Sequence, residues 1–147
     1  MVNILFVCTG DTCRSTMASA IMKSKLKNQG IKNICCSSAG LFVGNEVNMN
    51  DNAKKALKRL NVKVPRHKAT QLTEDRLKKY RFVLTMTQDQ KQTIINRFPE
   101  MTNVFSLREF VGAENIGDPY GKGEAEYYSV ARYLDLVTNE VLRKLIK

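Results

Sequence analysis

The chain has 147 residues, with 24 Lys and Arg against 14 Asp and Glu, a net charge of +10. That length suits one domain spanning residues 1–147, and a hydrophobic content of 43% supports a sizeable core rather than a disordered chain. Apolar runs fall far short of the ~20 residues that cross a bilayer, no signal-peptide pattern opens the chain, and four cysteines at 8, 13, 35 and 36 do not make a secreted disulfide scaffold.

Asn3 to Val7 is a short apolar run rich in branched and aromatic residues, which predicts a buried strand. It ends in Cys8-Thr9-Gly10-Asp11-Thr12-Cys13-Arg14-Ser15. Met17, Ile21 and Met22 then set a helical stripe that runs to about Gly30, a C-cap residue. Ile34 to Ser38 is a second strand, stopped by Gly40. Residues 51–61 form an amphipathic helix, with Ala53, Ala56, Leu57 and Leu60 at helical spacing. Thr73 caps a short helix. Phe82 to Met86 is a third buried strand. Thr87 or a neighbour starts a helix through Ile94, Ile95 and Phe98, stopped by Pro99. Asn103 to Leu107 is a fourth strand. A loop carries Gly117-Asp118-Pro119-Tyr120-Gly121. The last helix runs from about Glu124 to Ile146, with Val130, Leu134, Val137, Val141 and Leu145 on one side. Strands alternating with helices predict an α/β fold with a parallel sheet covered on both faces. Ligands in such folds sit at the carboxyl ends of strands, where strand order switches.

The charge is not evenly spread. Residues 54–81 hold 11 basic and 2 acidic residues, +9, and the rest of the chain is nearly balanced at +1. Lys54, Lys55, Lys58 and Arg59 fall on the outer side of the amphipathic helix. They read as a solvated face or as a patch that draws acidic or phosphorylated partners. No zinc-finger spacing or RNA-binding aromatic signature accompanies them, so no nucleic-acid partner is expected.

The loop after the first strand carries the chemistry. A glycine-bearing turn feeding a helix N-terminus presents several backbone N–H groups to one point, an anion site. Arg14 adds a planar fork for two phosphate oxygens. Cys8 opens the loop, so its sulfur can face the bound anion, and the same positive surroundings favour the nucleophilic thiolate. Ser15 can donate a hydrogen bond to that thiolate. A lone cysteine at a strand end is commonly a small buried hydrophobe. Its place directly between strand and helix is what favours the nucleophile reading. No Gly-Lys-Ser/Thr follows, which excludes a Walker-type loop.

Val7 to Ser15, followed about a hundred residues later by Gly117-Asp118-Pro119-Tyr120, resembles the low-molecular-weight protein tyrosine phosphatase family. Ser38-Ala39-Gly40, His67-Lys68-Ala69 and Val83-Leu84-Thr85-Met86-Thr87 are similar to family segments too. The resemblance implies a four-stranded parallel sheet flanked by helices in three layers. It implies Cys8 as nucleophile, forming a phosphocysteine, and Asp118 as general acid and then base. Arg14, with the loop from Thr9 through Gly10, Asp11, Thr12 and Cys13 to Ser15, holds the phosphate, and Tyr120 walls the pocket. Ser38 and His67 join the hydrogen bonds beneath the loop. A reversible Cys8–Cys13 disulfide protects the nucleophile. The implied enzyme needs no cofactor and no metal, acts on phosphorylated protein, takes phosphate or a similar oxyanion in its loop, and is a cytoplasmic monomer.

Position 12 bears on the substrate. Tyrosine-specific members of the family typically carry a bulky aliphatic residue there, and bacterial members acting on phosphoarginine carry Thr, as here. The segments 86–92 and 104–109 also resemble that bacterial subgroup, so a protein arginine phosphatase is expected, with tyrosine phosphatase as the alternative. Three departures stand out. The family has Asn where this chain has Asp11, Pro where it has Thr16, and Glu where it has Ser19. An ionised Asp11 would repel phosphate and disfavour the thiolate unless His67 or Lys68 pairs with it. Arsenate reductase and a phosphopeptide-binding pseudophosphatase are further alternatives.

Overall fold

The computed structural model describes residues 1–146. Its elements are β1 (Val2–Cys8), α1 (Arg14–Asn28), β2 (Ile34–Gly40), α2 (Asp51–Arg59), α3 (Glu74–Lys79), β3 (Phe82–Thr85), α4 (Gln88–Arg97), β4 (Val104–Ser106), α5 (Leu107–Val111) and α6 (Glu124–Leu145). The four strands form one parallel sheet in the order β2-β1-β3-β4. Side chains alternate across it, as a strand's period of two requires. Ile4, Phe6, Cys8 and Leu84 face a core built with α1, α2, α5 and α6. Leu5, Val7, Val83 and Val104 face a smaller one with Leu77 of α3 and Ile94 of α4. The expected three-layer α/β architecture is therefore present. Strand order switches at β1, so the loops after β1 and β3 open onto one crevice.

Local sequence explains the element ends. Gly30 has φ +66° beyond α1, and Ile31 N–H reaches back to the Leu26 carbonyl at 2.9 Å, a glycine-ended helix. The Thr87 side chain accepts from Gln90 N–H and the Gln90 side chain returns to the Thr87 backbone, a reciprocal cap that opens α4. The same device corrects one expectation. Leu107 does not end β4; it starts α5, because Ser106 and Glu109 form a second capping box. In α6 the buried stripe is Tyr127, Ala131, Leu134, Val137, Thr138 and Val141, while Val130 is only half-buried, one position off that stripe.

Part of the basic segment is spent on packing. Lys55 bonds Glu124 at 2.9 Å, and Arg59 stacks 3.6 Å over the Tyr128 ring, tying α2 to α6. No described helix is long and apolar enough to cross a membrane.

Candidate active site

β1 delivers Cys8 to the carboxyl edge of the sheet, opposite Gly40 of β2. The chain then wraps through residues 9–13 into α1. Its carbonyls point into the protein. Those of Cys8 and Thr9 accept from Leu41 and Phe42, that of Thr12 from Asn50, and that of Cys13 from Met17. Among the described residues, the N–H groups of Thr9 to Ser15 donate to no protein acceptor. With the carbonyls turned away, these N–H groups are left for a ligand at the N-terminus of α1, whose first turn holds no acidic residue.

Cys8, Thr9, Gly10, Thr12, Cys13, Arg14, Asp118 and Tyr120 line one hollow of about 240 Å³. Arg14 is buried, and its Nη1 donates to the Ile116 carbonyl at 2.9 Å. Ile116 N–H in turn holds the Met86 carbonyl at 3.0 Å, which fastens the Asp118 loop to the end of β3. Asp118 accepts from Tyr120 N–H at 3.0 Å, and its other oxygen lies 3.8 Å from Arg14 Nη2. The Asp118 side chain is 56% exposed and Tyr120 is 65% exposed, so both stand at the mouth.

Beneath the loop lies a second tier. Ser15 Oγ sits 3.0 Å from Cys8 Sγ and donates to Asp11 Oδ1 at 2.8 Å. Asp11 is fully buried with φ +56°. The left-handed residue of this loop is therefore Asp11 and not Gly10, a conformation Asp tolerates better than most residues. Asp11 Oδ2 accepts from Thr70 N–H at 3.0 Å and lies 3.7 Å from His67 Nε2. His67 Nε2 is 2.6 Å from the Asp11 carbonyl, which can only accept, so this nitrogen carries a proton. Thr16 Oγ1 donates to the same carbonyl at 3.1 Å. The partner of Asp11 is thus His67; Lys68 bonds Asn48 instead. Ser38 shares a small cavity with His67 and Thr16, and its backbone carbonyl accepts from Arg76 at 3.4 Å.

Three residues that position the loop were not singled out from sequence. The Gln90 side chain accepts from the N–H groups of Met86 and Thr87 and donates to Thr9 Oγ1 at 3.3 Å. Tyr127 places its hydroxyl 3.7 Å from Cys13 Sγ. Burial pushes both the Cys13 thiol and the Tyr127 phenol above their ordinary values, so both keep their protons. Thr70 acts through its backbone alone. Among the described residues, no group of three His, Cys, Asp or Glu side chains gathers as a metal site.

An oxyanion seated on the free N–H groups would touch the Cys8 sulfur. The chemistry open to this hollow is transfer of a phosphoryl group to sulfur, the reaction class of cysteine-dependent phosphatases. Comparison with known proteins makes the class specific. Residues 3–147 match the low molecular weight phosphotyrosine protein phosphatase family, and the chain belongs to it. It is 36% identical to a protein-arginine-phosphatase of Geobacillus stearothermophilus over 97% of this chain and 95% of that one. It is 34% identical to the low molecular weight protein-tyrosine-phosphatase PtpB of Staphylococcus epidermidis, over 91% and 93% of the two chains. Among solved structures it superposes with a TM-score of 0.93, at 32% identity, on the YwlE arginine phosphatase in a mutant with a phosphorylated active-site serine, covering 99% and 97% of the chains. The chain is a protein phosphatase.

Proposed function

We propose that the chain removes phosphate from phosphoarginine in proteins, with Cys8 as nucleophile. The carrying observation is that the unused N–H groups of Thr9 to Ser15 and the fixed Arg14 guanidinium surround the hollow that holds the Cys8 sulfur. The sulfur attacks phosphorus; the S–P bond forms as the P–N bond breaks. The electron pair leaves on the guanidine nitrogen, and Asp118 supplies a proton there. Asp118 then takes a proton from the water that attacks the phosphocysteine, releasing inorganic phosphate and the thiolate. Arg14 and the N–H groups hold the phosphoryl oxygens through both steps. This chemistry calls for no metal or cofactor, since the helix N-terminus and Arg14 supply the positive charge.

Thr12 supports the choice of substrate. It lines the hollow, and its hydroxyl suits a polar guanidinium better than an aliphatic side chain would. The similarity to the arginine phosphatases points the same way. The tyrosine phosphatase reading rests on the similarity to PtpB. Cys35 and Cys36 lie four to five residues before Gly40 on β2, roughly 13–16 Å from the level of Cys8 along the sheet. That distance argues against the thiol relay an arsenate reductase needs. The presence of Cys8, Arg14 and Asp118 around one hollow argues against a binding-only pseudophosphatase. We place the protein in the cytoplasm as a monomeric single domain, in keeping with four free cysteines.

The test is kcat/KM on matched phosphoarginine and phosphotyrosine peptides, for the parent and for Thr12→Ile. The parent should favour phosphoarginine, and Thr12→Ile should move the ratio toward phosphotyrosine. An unchanged ratio would overturn the substrate reading.

A further inference from the structure

Ser15 has one hydroxyl proton and two side-chain partners that can take it. Asp11 Oδ1 is 2.8 Å from its oxygen and Cys8 Sγ is 3.0 Å away. An ionised carboxylate accepts and never donates, and so does a thiolate. When Ser15 donates to Asp11, the Cys8 sulfur has lost its only side-chain donor among the described residues. The geometry points to Asp11 as a positioning residue that holds the Ser15 proton on its own carboxylate and so restrains the Cys8 nucleophile. This inference rests on Cys8 being the nucleophile.

The surroundings of Asp11 hold it in that role. Thr70 N–H occupies Oδ2 at 3.0 Å, which leaves Oδ1 facing Ser15. Thr16, from α1, and His67, from the segment between α2 and α3, both donate to the Asp11 backbone carbonyl. Among the described residues, the His67 ring is the basic side chain nearest the Asp11 carboxylate, with Nε2 3.7 Å from Oδ2. Lys23, Arg66 and Lys68 line the cavity behind it. Two of this chain's departures from the family pattern, Asp11 and Thr16, thus touch each other in one network.

The same geometry decides what Asn does at position 11. Thr70 N–H needs an acceptor, so the Asn carbonyl oxygen must take the Oδ2 place. The amide NH2 then takes the Oδ1 place and donates to Ser15 Oγ. The Ser15 proton is released toward Cys8 Sγ. One residue thereby converts Ser15 from a donor to its neighbour into a donor to the nucleophile.

The experiment is a double-mutant cycle at one fixed, mildly acidic pH. The rate of Cys8 alkylation by iodoacetate is read by fragment-ion mass spectrometry, and kcat/KM is measured on p-nitrophenyl phosphate. Asp11→Asn should alkylate Cys8 roughly tenfold faster than the parent, the scale of a hydrogen bond to a charged group, and kcat/KM should rise. In a Ser15→Ala background the same substitution should change alkylation by less than about twofold, because no proton remains to redirect. An Asp11→Asn protein no faster than the parent overturns the inference. So does an acceleration that survives in full without the Ser15 hydroxyl, since that would be charge repulsion alone. If Asp11→Asn fails to fold, Asp11→Gly tolerates the same φ and also frees the Ser15 proton, with acceleration again expected. Hydrolysis that persists in Cys8→Ala would instead overturn the underlying reading of Cys8, a separate outcome.

Discussion

Replacing Gly40 by Ala puts a methyl group where the catalytic loop passes. An added Cβ would lie 2.9 Å from the Gly10 carbonyl carbon, 3.0 Å from the Thr9 carbonyl oxygen and 3.0 Å from Val43 Cγ2. Two of the three contacts are backbone atoms of the loop itself, which cannot swing aside as a side chain can. Relaxing them toward an ordinary carbon contact of ~3.5 Å moves the loop by about half an ångström. Overpacking of this kind costs about 1–3 kcal/mol. For a chain of this size that is a melting temperature roughly 3–10 °C lower. The catalytic cost should exceed the stability cost, because a shift approaching 1 Å in reacting groups can lower rates up to about a hundredfold. Thermal melting and kcat/KM on p-nitrophenyl phosphate measure the two effects. A Gly40→Ala protein with parental melting and activity within twofold would show that the loop does not rest on this close approach.

Three further outcomes follow from the same coordinates. Asp118→Asn should lower kcat by about 10²–10⁴ on phosphoarginine peptides, and by far less on p-nitrophenyl phosphate, whose leaving group needs little protonation; equal losses on both would remove Asp118 as the acid. Gln90→Leu takes the acceptor from Thr87 N–H and releases Thr9, while Met86 N–H keeps the Val7 carbonyl, so the protein should lose about 1–2 kcal/mol in denaturant titration, and unchanged stability would count against that anchor. Burial pushes the Cys36 thiol from 9.0 up to about 11, so the folded state holds this proton more tightly than the unfolded chain. The resulting stability is fully present below 9.0 and fades as pH rises toward 11, by about 2–3 kcal/mol in all. Melting temperature should therefore fall more steeply over that range in the parent than in Cys36→Ala; parallel curves would contradict it.

How much of this was legible in the sequence depended on range. The strand–loop–helix from Asn3 to Met22 could be read because its signals are local: a β-rich apolar run, a glycine turn and a stripe at helical spacing. Cys8 and Arg14 came with it, six residues apart. The α5 helix is hard to see in the sequence, although Ser106 and Glu109 stand at capping-box spacing, because the apolar pair Val104 and Phe105 runs straight into Leu107. Gln90 and Tyr127 touch the loop from 81 and 114 residues away, through packing no periodicity encodes. Thr70 contributes only an N–H group, which any residue but Pro supplies. Gly40 could be read as a strand stop, yet its closer duty is to let the loop pass. Asp11 stands out in the sequence as a departure from the family pattern. That its carboxylate competes with the Cys8 sulfur for one proton emerged only from the distances.

The central claim is that Cys8 carries the phosphoryl group during turnover. Acid quenching during hydrolysis of a phosphoarginine peptide, followed by mass spectrometry of the enzyme, measures this directly. Phosphate should appear on Cys8 and nowhere else, and Cys8→Ala should show neither phosphoenzyme nor hydrolysis. Phosphate on a different residue, or hydrolysis that continues in Cys8→Ala, would contradict it.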